Sequence, residues 1–148
     1  MAEQQLTEAE VRDFVTDWYR KLDVHAPIDE VAPLVAEEDE GLEMKFPEAT
    51  LRKRDDFKGL LDTWYHRFFD EVHTLKELDI STEGDRAEVK LCVNWQLKIW
   101  DPPEPKSQWL GFDAYQTWVV GRSKRSGRPV IVQYVVDKLD PMAGSASL

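Results

Sequence analysis

The chain has a single cysteine, Cys92, among its 148 residues, so it cannot form an intramolecular disulfide. It also has no apolar run that approaches the ~20 residues needed to cross a bilayer. Its first residues show neither the basic start nor the apolar stretch of a secretion signal. We therefore expect a cytoplasmic protein that does not associate with membranes.

Positive charge is scarce. The chain carries 29 acidic residues against 19 lysines and arginines, which gives a formal net charge of -10 at pH 7. A nucleic-acid-binding surface needs clustered Lys or Arg to displace cations from phosphates. The basic cluster at 122–128 lies in a Gly/Ser turn and is most simply a solvated hairpin tip. The charge balance thus predicts that nucleic acid is not a partner.

The first third of the chain has helical periodicity. Thr7 is a candidate N-cap with Glu10 placed for a capping box, and apolar residues recur at helical spacing until Pro27. A short second helix is predicted over Ile28 to Glu37, and a third runs from about Arg54 to Phe69.

From Val72 onward the apolar period changes to two, which predicts strands at 72–82, 86–100, 108–121 and 129–139, with an earlier short strand at 42–46. Helices followed by an antiparallel meander define an α+β domain. We predict a single domain, 1–148, ordered from about 7 to 140 and ending in a loose tail at 141–148.

The two faces of the predicted sheet are hard to tell apart. In the strand 108–121, the inner face could carry either the set that includes Asp113 and Tyr115 or the set that includes Ala114 and Gln116. Since neither face is plainly polar, we expect the outer face to form a homodimer interface. The residues assigned to that face or its edge are Trp100, Trp109, Trp118 and Gln133.

Four segments in order resemble the nuclear-transport-factor-2-like (NTF2-like) superfamily, in its SnoaL-like branch. They are FVTDWYRKLD, GLEMKFP, FFDEVHTLKELDISTEGDRAEVKL and QTWVVGRSKRSGRPVIVQYVVD, and the similarity spans about Glu8 to Asp137. The resemblance implies three N-terminal helices packed on a strongly curved mixed or antiparallel sheet, with a ligand pocket between them. This superfamily includes cofactor-independent isomerases, dehydratases and cyclases as well as non-enzymatic binders.

The resemblance also indicates which chemistry is absent. Ketosteroid-isomerase-like members need a tyrosine, a carboxylate base and a buried acid where this chain has Trp18, Phe46 and Tyr115 or Asp113. A phenyl ring cannot abstract a proton, so that mechanism is not expected. Scytalone-dehydratase-like members use histidines and an aspartate, and here His73 and Asp113 are the candidates for such roles.

His73 and Asp113 are therefore the predicted catalytic residues. An imidazole near neutrality can act as acid, base or hydrogen-bond donor, although a histidine satisfied by backbone at a sheet edge has the same sequence pattern. Asp113 would have a raised pKa in an apolar cavity if it faces inward, and would be an edge or interface residue if it faces outward.

Aromatic residues are the predicted ligand-binding set, since large rings bind flat apolar ligands and Tyr and Trp add polar groups. The same rings could instead fill the core. His66, Asp70 and His73 have metal-ligand spacing only on one continuous helix, and the helix is expected to end near Phe69, so we predict neither metal nor cofactor. The set comprises Trp18, Trp64, Trp95, Tyr115 and Tyr134.

The leading expectation is a small-molecule-binding domain whose enzymatic form would be a cofactor-free isomerase, dehydratase or cyclase acting on an apolar aromatic or polyketide-like compound. The alternatives are a non-catalytic ligand carrier and a protein-interaction module with a filled interior. A cavity of ~300 Å³ or more with His73 or Asp113 at its wall would favour the enzyme.

Overall fold

A computed structural model describes residues 5–147. Within this range the chain forms three α-helices, two 3₁₀ turns and one six-stranded sheet. The predicted α+β class is confirmed. The elements are α1 (Glu8–Asp23), α2 (Ile28–Val31), the 3₁₀ turns Ala32–Leu34 and Glu38–Glu40, β1 (Glu43–Lys45), β2 (Thr50–Leu51), α3 (Arg54–Arg67), β3 (Phe68–Glu83), β4 (Arg86–Ile99), β5 (Gln108–Arg122) and β6 (Pro129–Pro141).

Helix α1 begins at the predicted cap. Thr7 Oγ1 accepts a hydrogen bond from the Glu10 backbone N–H at 3.1 Å, which satisfies one of the free donors of the first turn. The Glu10 carboxylate does not complete a capping box. It accepts two hydrogen bonds from the Arg122 guanidinium, at 2.7 and 3.0 Å, and so connects the start of α1 to the end of β5.

The second predicted helix is shorter than expected. The prediction ran to Glu37, whereas α2 ends at Val31 and is followed by a 3₁₀ turn that contains Pro33. Proline lacks the N–H that a continuing α-helix would use. The chain then extends, and Val35 forms a parallel bridge with Ile131 of β6.

The strand order in the sheet is β2-β1-β6-β5-β4-β3. The meander β3 to β6 is antiparallel, as predicted, while the short β1 runs parallel to β6 and buries Met44 completely. The sheet is therefore mixed, with the long strands at its centre and at one side.

The register of β4 against β5 decides which residues face the helices, because directly opposed residues project from the same face. Val93 lies opposite Ala114, Leu91 opposite Gln116, and Val89 opposite Trp118. Trp118 is fully buried in the core beneath the helices. The prediction that Trp118 lies on the outer face is wrong, because Trp118 alternates along β5 together with the inward-facing Ala114 and Gln116.

The core between the helices and the inner face of the sheet is rich in rings. Trp18 of α1 stacks on Phe57 of α3 and meets Trp118 edge-on. A second, smaller cluster lies at the other end of the sheet, and together the two clusters leave a space between them. The second cluster consists of Phe68, Leu97, Ile99, Leu110 and Phe112.

The segment after β6, predicted as a tail, lies along the start of β5. The Met142 N–H donates to the Gly111 carbonyl at 2.8 Å, and the Ala146 N–H donates to the Trp109 carbonyl at 3.1 Å. The Ser145 hydroxyl accepts from the Gly111 N–H at 3.0 Å.

Candidate functional site

A cavity of about 400 Å³ lies between α3, the end of α1, the β1–β2 turn and the inner face of the sheet. Most of its wall is apolar, and polar groups are few, which is the usual composition of a small-molecule site. The apolar side chains of the wall are Leu22, Phe46, Pro47, Leu60, Leu61, Trp64, Phe68, Val93, Trp95, Ala114, Val136 and Leu139. The polar ones are Glu48, Thr63, Tyr65, Arg67, Glu71, His73, Gln116 and Tyr134.

An irregularity at the start of β3 turns two polar side chains into this cavity. The register against β4 shifts between Phe69 and Val72, and Asp70 adopts a left-handed backbone conformation with φ of 51°. A β-bulge of this kind reverses the alternation of a strand and redirects side chains. As a result Glu71 and His73 line the cavity, while Val72 is exposed.

His73 is held by Asp23, the last residue of α1. The His73 ring Nδ1 lies 2.6 Å from one carboxylate oxygen of Asp23, and the His73 backbone N–H donates to the other at 3.1 Å. The carboxylate can only accept when ionised, so this contact places the proton of neutral His73 on Nδ1. Nε2 is then the lone-pair nitrogen, which is the arrangement of a general base oriented by a carboxylate.

The His73 ring also lies between two aromatic rings. Tyr19 stacks on it with centroids 4.9 Å apart, and Trp95 lies nearly parallel on the other side at 5.8 Å and 13°. Only 8% of the His73 side chain is exposed. The ring is therefore fixed in position by packing and by its hydrogen bonds together.

Gln116 places a polar group in the middle of the inner face. Its side-chain oxygen accepts from the Tyr19 hydroxyl and from the Trp118 indole N–H, both at 3.0 Å. Because an indole N–H can only donate, the atom that meets it must be the amide oxygen. The amide nitrogen is thus turned the other way, toward the part of the cavity wall that Gln116 shares with Tyr134.

The tyrosines around this network remain protonated. Burial raises the pKa of Tyr19 well above its ordinary value, and the nearby Tyr134 and Cys92 add to the effect. Burial likewise raises the pKa of Tyr134, against a smaller opposing contribution from the Gln116 hydrogen bond. These hydroxyls act as neutral hydrogen-bonding groups.

A second carboxylate–histidine contact lies on the same wall. The Glu71 side chain is 7% exposed, and its Oε1 accepts from the Trp95 indole N–H at 3.1 Å. Its Oε2 is in direct hydrogen-bond contact with His25 Nε2. His25 stacks on Tyr65 with centroids 4.3 Å apart.

Four of the predicted site residues line the cavity, and two predicted rings, Trp18 and Tyr115, do not. Trp18 packs behind the wall, against Phe57, Trp118 and Tyr134, and is core. Within the described residues its indole N–H has no hydrogen-bond partner. The predicted residues in the wall are His73, Trp64, Trp95 and Tyr134.

Asp113 and Tyr115 are on the opposite face of the sheet. Asp113 lies across from Asn94, accepts from its amide at 3.0 Å and meets Lys76 at 3.3 Å. The Asn94 hydrogen bond, followed by Lys76, lowers the pKa of Asp113, the reverse of the shift expected in an apolar cavity. The expectation that Asp113 and His73 work as a pair is therefore wrong, and Tyr115, which is 38% exposed, does not reach the cavity either.

Four residues at or beside the cavity carry no signal in the sequence that marks them as a site: Asp23, His25, Glu71 and Gln116. Asp23 and His25 follow the last apolar residue of α1, where no periodic signal remains. Glu71 falls on the bulge, so its parity could not be read from the pattern. His66, which shares metal-like spacing with Asp70 and His73, lies on α3 and bonds to the Asp62 backbone, so these residues do not share a helix face.

No protein-family model matches this chain, and no curated protein sequence matches it. Solved structures do match, at identities that show the fold alone, and that fold is NTF2-like. The resemblance predicted from the sequence is confirmed at this level.

Three of the solved structures with this fold are the following. A proposed dehydratase of the NTF2-like family from Streptomyces avermitilis is 14% identical, with TM-score 0.73 over 91% of this chain and 95% of that one. A proposed scytalone dehydratase from Novosphingobium aromaticivorans is 17% identical, with TM-score 0.68 over 95% and 88%. A hexachlorocyclohexane dehydrochlorinase from Novosphingobium barchaimii is 16% identical, with TM-score 0.70 over 95% and 92%.

Among residues 5–147, no helix is both long and apolar enough to cross a membrane. The cytoplasmic location stays a prediction.

Proposed function

We propose that this protein is a cofactor-independent enzyme that removes a proton from a carbon atom of a small, apolar, ring-containing molecule, and so catalyses an elimination or an isomerisation. The observation that carries the proposal is the contact between His73 Nδ1 and Asp23 at the wall of an apolar cavity of about 400 Å³. A base that is already oriented needs no metal or cofactor to accept a proton.

His73 is the base in this proposal. Nε2 takes the proton from the substrate carbon, and the imidazolium that forms is stabilised by the adjacent Asp23 carboxylate. Packing between Tyr19 and Trp95 keeps the ring in one orientation through the reaction. A base held in place in this way contributes ~10²–10⁴-fold to a rate.

Gln116 and Tyr134 supply the polar contact for the substrate. When a proton leaves a carbon next to a carbonyl, negative charge develops on the carbonyl oxygen and needs hydrogen-bond donors. The Gln116 amide N–H groups and the Tyr134 hydroxyl are donors at the cavity wall, and the Gln116 amide is held in that orientation by Trp118. A carbonyl or enolisable hydroxyl group on the substrate fits this position.

The rest of the wall fits an aromatic or alicyclic ring. Trp64 and Phe46 meet edge-to-face, and Trp95 lies edge-on to Phe68, so flat surfaces line the cavity. Apolar walls with a few fixed donors bind such rings by burial and stacking.

The neighbours support the type of reaction. Two carry names that denote dehydratases and one is a dehydrochlorinase, and both reactions remove a proton and a leaving group from adjacent atoms. The fold similarity makes this chemistry a reasonable choice for the Asp23–His73 pair, while the residues of this chain supply the argument.

Proton exchange into a simple ketone tests the proposal. 1-Indanone has an aromatic ring, a carbonyl and acidic adjacent C–H groups, and NMR in D₂O follows replacement of these protons by deuterium. We expect exchange above the buffer rate, lost in His73→Gln and retained in the control His66→Gln, a variant at an exposed position of α3. Stabilisation of the fold by 1-indanone without any exchange would assign the protein a carrier role and refute the enzyme.

We also infer that two copies pair through the outer face of the sheet. Tyr115 is 38% exposed there beside buried Cys92, and a half-exposed ring in mid-sheet is a typical interface position. Sedimentation equilibrium should show a dimer that Tyr115→Arg converts to a monomer. A monomeric wild-type protein at micromolar concentration would refute this pairing.

A further inference from the structure

The end of α1 and the start of β3 form two crossed pairs. Asp23 and His25 come from the helix end, Glu71 and His73 come from the strand, and each carboxylate contacts the histidine of the other element. Val24 lies between Asp23 and His25, and Val72 lies between Glu71 and His73. Both valines point outward, since Val24 is 70% exposed and Val72 is 56% exposed. The proposed base accounts for one pair and leaves the His25–Glu71 pair without a role.

The His25–Glu71 pair joins the cavity to the surface. Glu71 lines the cavity and is almost fully buried, whereas the His25 side chain is 26% exposed. A buried carboxylate without a proton or a cation nearby is costly. The direct contact between Glu71 Oε2 and His25 Nε2 satisfies this requirement, because an imidazole N–H can donate to the carboxylate.

Both partners are held in position. The Trp95 N–H donates to Glu71 Oε1, which leaves Oε2 to contact His25. His25 has a left-handed backbone with φ of 48° and stacks on Tyr65, whose hydroxyl donates to the Ala26 carbonyl at 2.7 Å. Burial, followed by the charge of Glu71, raises the pKa of Tyr65 to about 12, so Tyr65 is a fixed donor and takes no part in proton exchange.

The charges around the pair favour a held proton. Asp23 contacts His73, which lines the cavity on the same face of β3 as Glu71, and nearby carboxylates disfavour each other's ionisation. Tyr65 from α3 adds no charge, because burial raises the pKa of its hydroxyl. The His25–Glu71 contact is therefore the place at the cavity where a carboxylate and an imidazole can exchange a proton.

Building on the proposed function, we propose that Glu71 is the general acid of the reaction and that His25 supplies its proton from solvent. His73 Nε2 takes the proton from carbon, the electron pair forms the C=C bond, and the C–O bond on the adjacent carbon breaks. The departing oxygen takes the proton of the His25–Glu71 pair and leaves as water. Solvent then returns a proton to His25, and His73 releases the one it gained.

This assignment names a substrate class. Hydroxide is a strongly basic leaving group that departs readily only when protonated, whereas chloride departs as the free anion. A second, protonated pair is needed for the first reaction and superfluous for the second. The structure thus points to a β-hydroxy carbonyl compound with an apolar ring as substrate, and to dehydration as the reaction.

Three probes on one skeleton separate the roles. 1-Indanone reports proton abstraction alone, 3-hydroxy-1-indanone reports loss of hydroxide, and 3-chloro-1-indanone reports loss of chloride. We expect Glu71→Gln to slow hydroxide loss by ~10²-fold or more and to change deuterium exchange and chloride loss less than about threefold. His25→Gln, which keeps a donor to Glu71 but cannot relay a proton, should show the same selective loss, and Glu77→Gln, at an exposed position of the same strand outside the cavity, is the matched control.

The outcomes distinguish this inference from the function it builds on. If the wild-type protein exchanges 1-indanone protons but does not release hydroxide, Glu71 is not a general acid. The role of His73 as the base would then still hold. Equal loss of all three activities in Glu71→Gln would show a purely structural role for Glu71 and refute the proposal as well. No exchange of 1-indanone in the wild type would refute the enzyme itself.

Discussion

Asp23→Asn tests how Asp23 orients His73 as a base. We expect it to slow proton abstraction more than Asp23→Ala, which deletes the side chain. The His73 backbone N–H can only donate, so an asparagine at position 23 must turn its oxygen toward that N–H. Its amide NH₂ then faces His73 Nδ1, which becomes an acceptor. The ring proton moves to Nε2, and the nitrogen that should take the substrate proton no longer has a free lone pair.

The size of the rate loss depends on which contacts of His73 remain in each Asp23 variant. Losing a positioned base costs ~10²–10⁴ in rate, which at 1.36 kcal/mol per tenfold is about 3–5 kcal/mol of barrier. Asp23→Ala leaves the ring free to adopt either tautomer, so its rate should fall less. It also leaves the His73 backbone N–H without its acceptor, which costs about 1–3 kcal/mol of stability. The asparagine variant should be the slower of the two and the alanine variant the less stable.

The assays are 1-indanone deuterium exchange for rate, urea unfolding for stability, and ¹⁵N-detected NMR of the imidazoles for the tautomer. The chain has only three histidines, so each signal can be assigned by substitution. Asp17→Asn, on the same helix and paired with Arg20 and Lys21, is the control. An Asp23→Asn protein that exchanges faster than Asp23→Ala, or that keeps the proton on Nδ1, would refute the reasoning.

Two further predictions concern Gln116 and Asp113. Gln116→Leu leaves two buried donors unpaired, at about 1–3 kcal/mol each, so urea unfolding should show a loss of about 2–6 kcal/mol of stability. The control Gln133→Leu, at an exposed position, should change stability by less than about 0.5 kcal/mol. Equal effects of the two variants would contradict the hydrogen-bond network around Gln116. Asp113→Asn should leave 1-indanone exchange unchanged, because Asp113 is on the outer face. Since hydrogen bonding lowers the pKa of Asp113 below its ordinary value of 3.8, its contribution is present above that pH and is lost as the pH falls through the lowered value. The variant should thus be less stable than wild type at pH 7, by at most about 1 kcal/mol, with the difference disappearing in acid; a constant difference across pH would contradict this account.

The long helices and strands of this fold were predictable because each has a local sequence pattern, either a capping residue or a regular spacing of apolar residues. Thr7 caps α1 as its side chain requires, and the apolar spacing that follows defines the buried face of the helix. The long strands alternate over enough residues to fix their existence and their order. The α+β class follows from these two periodicities alone.

The faces of the strands, and with them the site, were less predictable. Register shifts between Phe69 and Val72 and between Leu75 and Glu77 reverse the alternation of β3 twice, so counting by twos along the sequence gives the wrong face over part of the strand. Asp113 has the residue types of an inward strand around it, and only its pairing with Asn94 shows that it faces outward. Asp23 reaches His73 across 50 residues of sequence, a contact that no local pattern encodes.

The sheet ends at one margin in the two-residue β2 and at the other in the long β3. An unpaired strand invites another chain to extend the sheet, and proteins discourage this with short, charged or irregular outermost strands. β2 offers almost no ladder to extend, while β3 has interrupted pairing geometry and carries Asp79 and Glu83 along its length. Neither border offers a regular ladder for lateral growth, so the pairing proposed above uses the broad outer side of the sheet, opposite the side that lines the cavity.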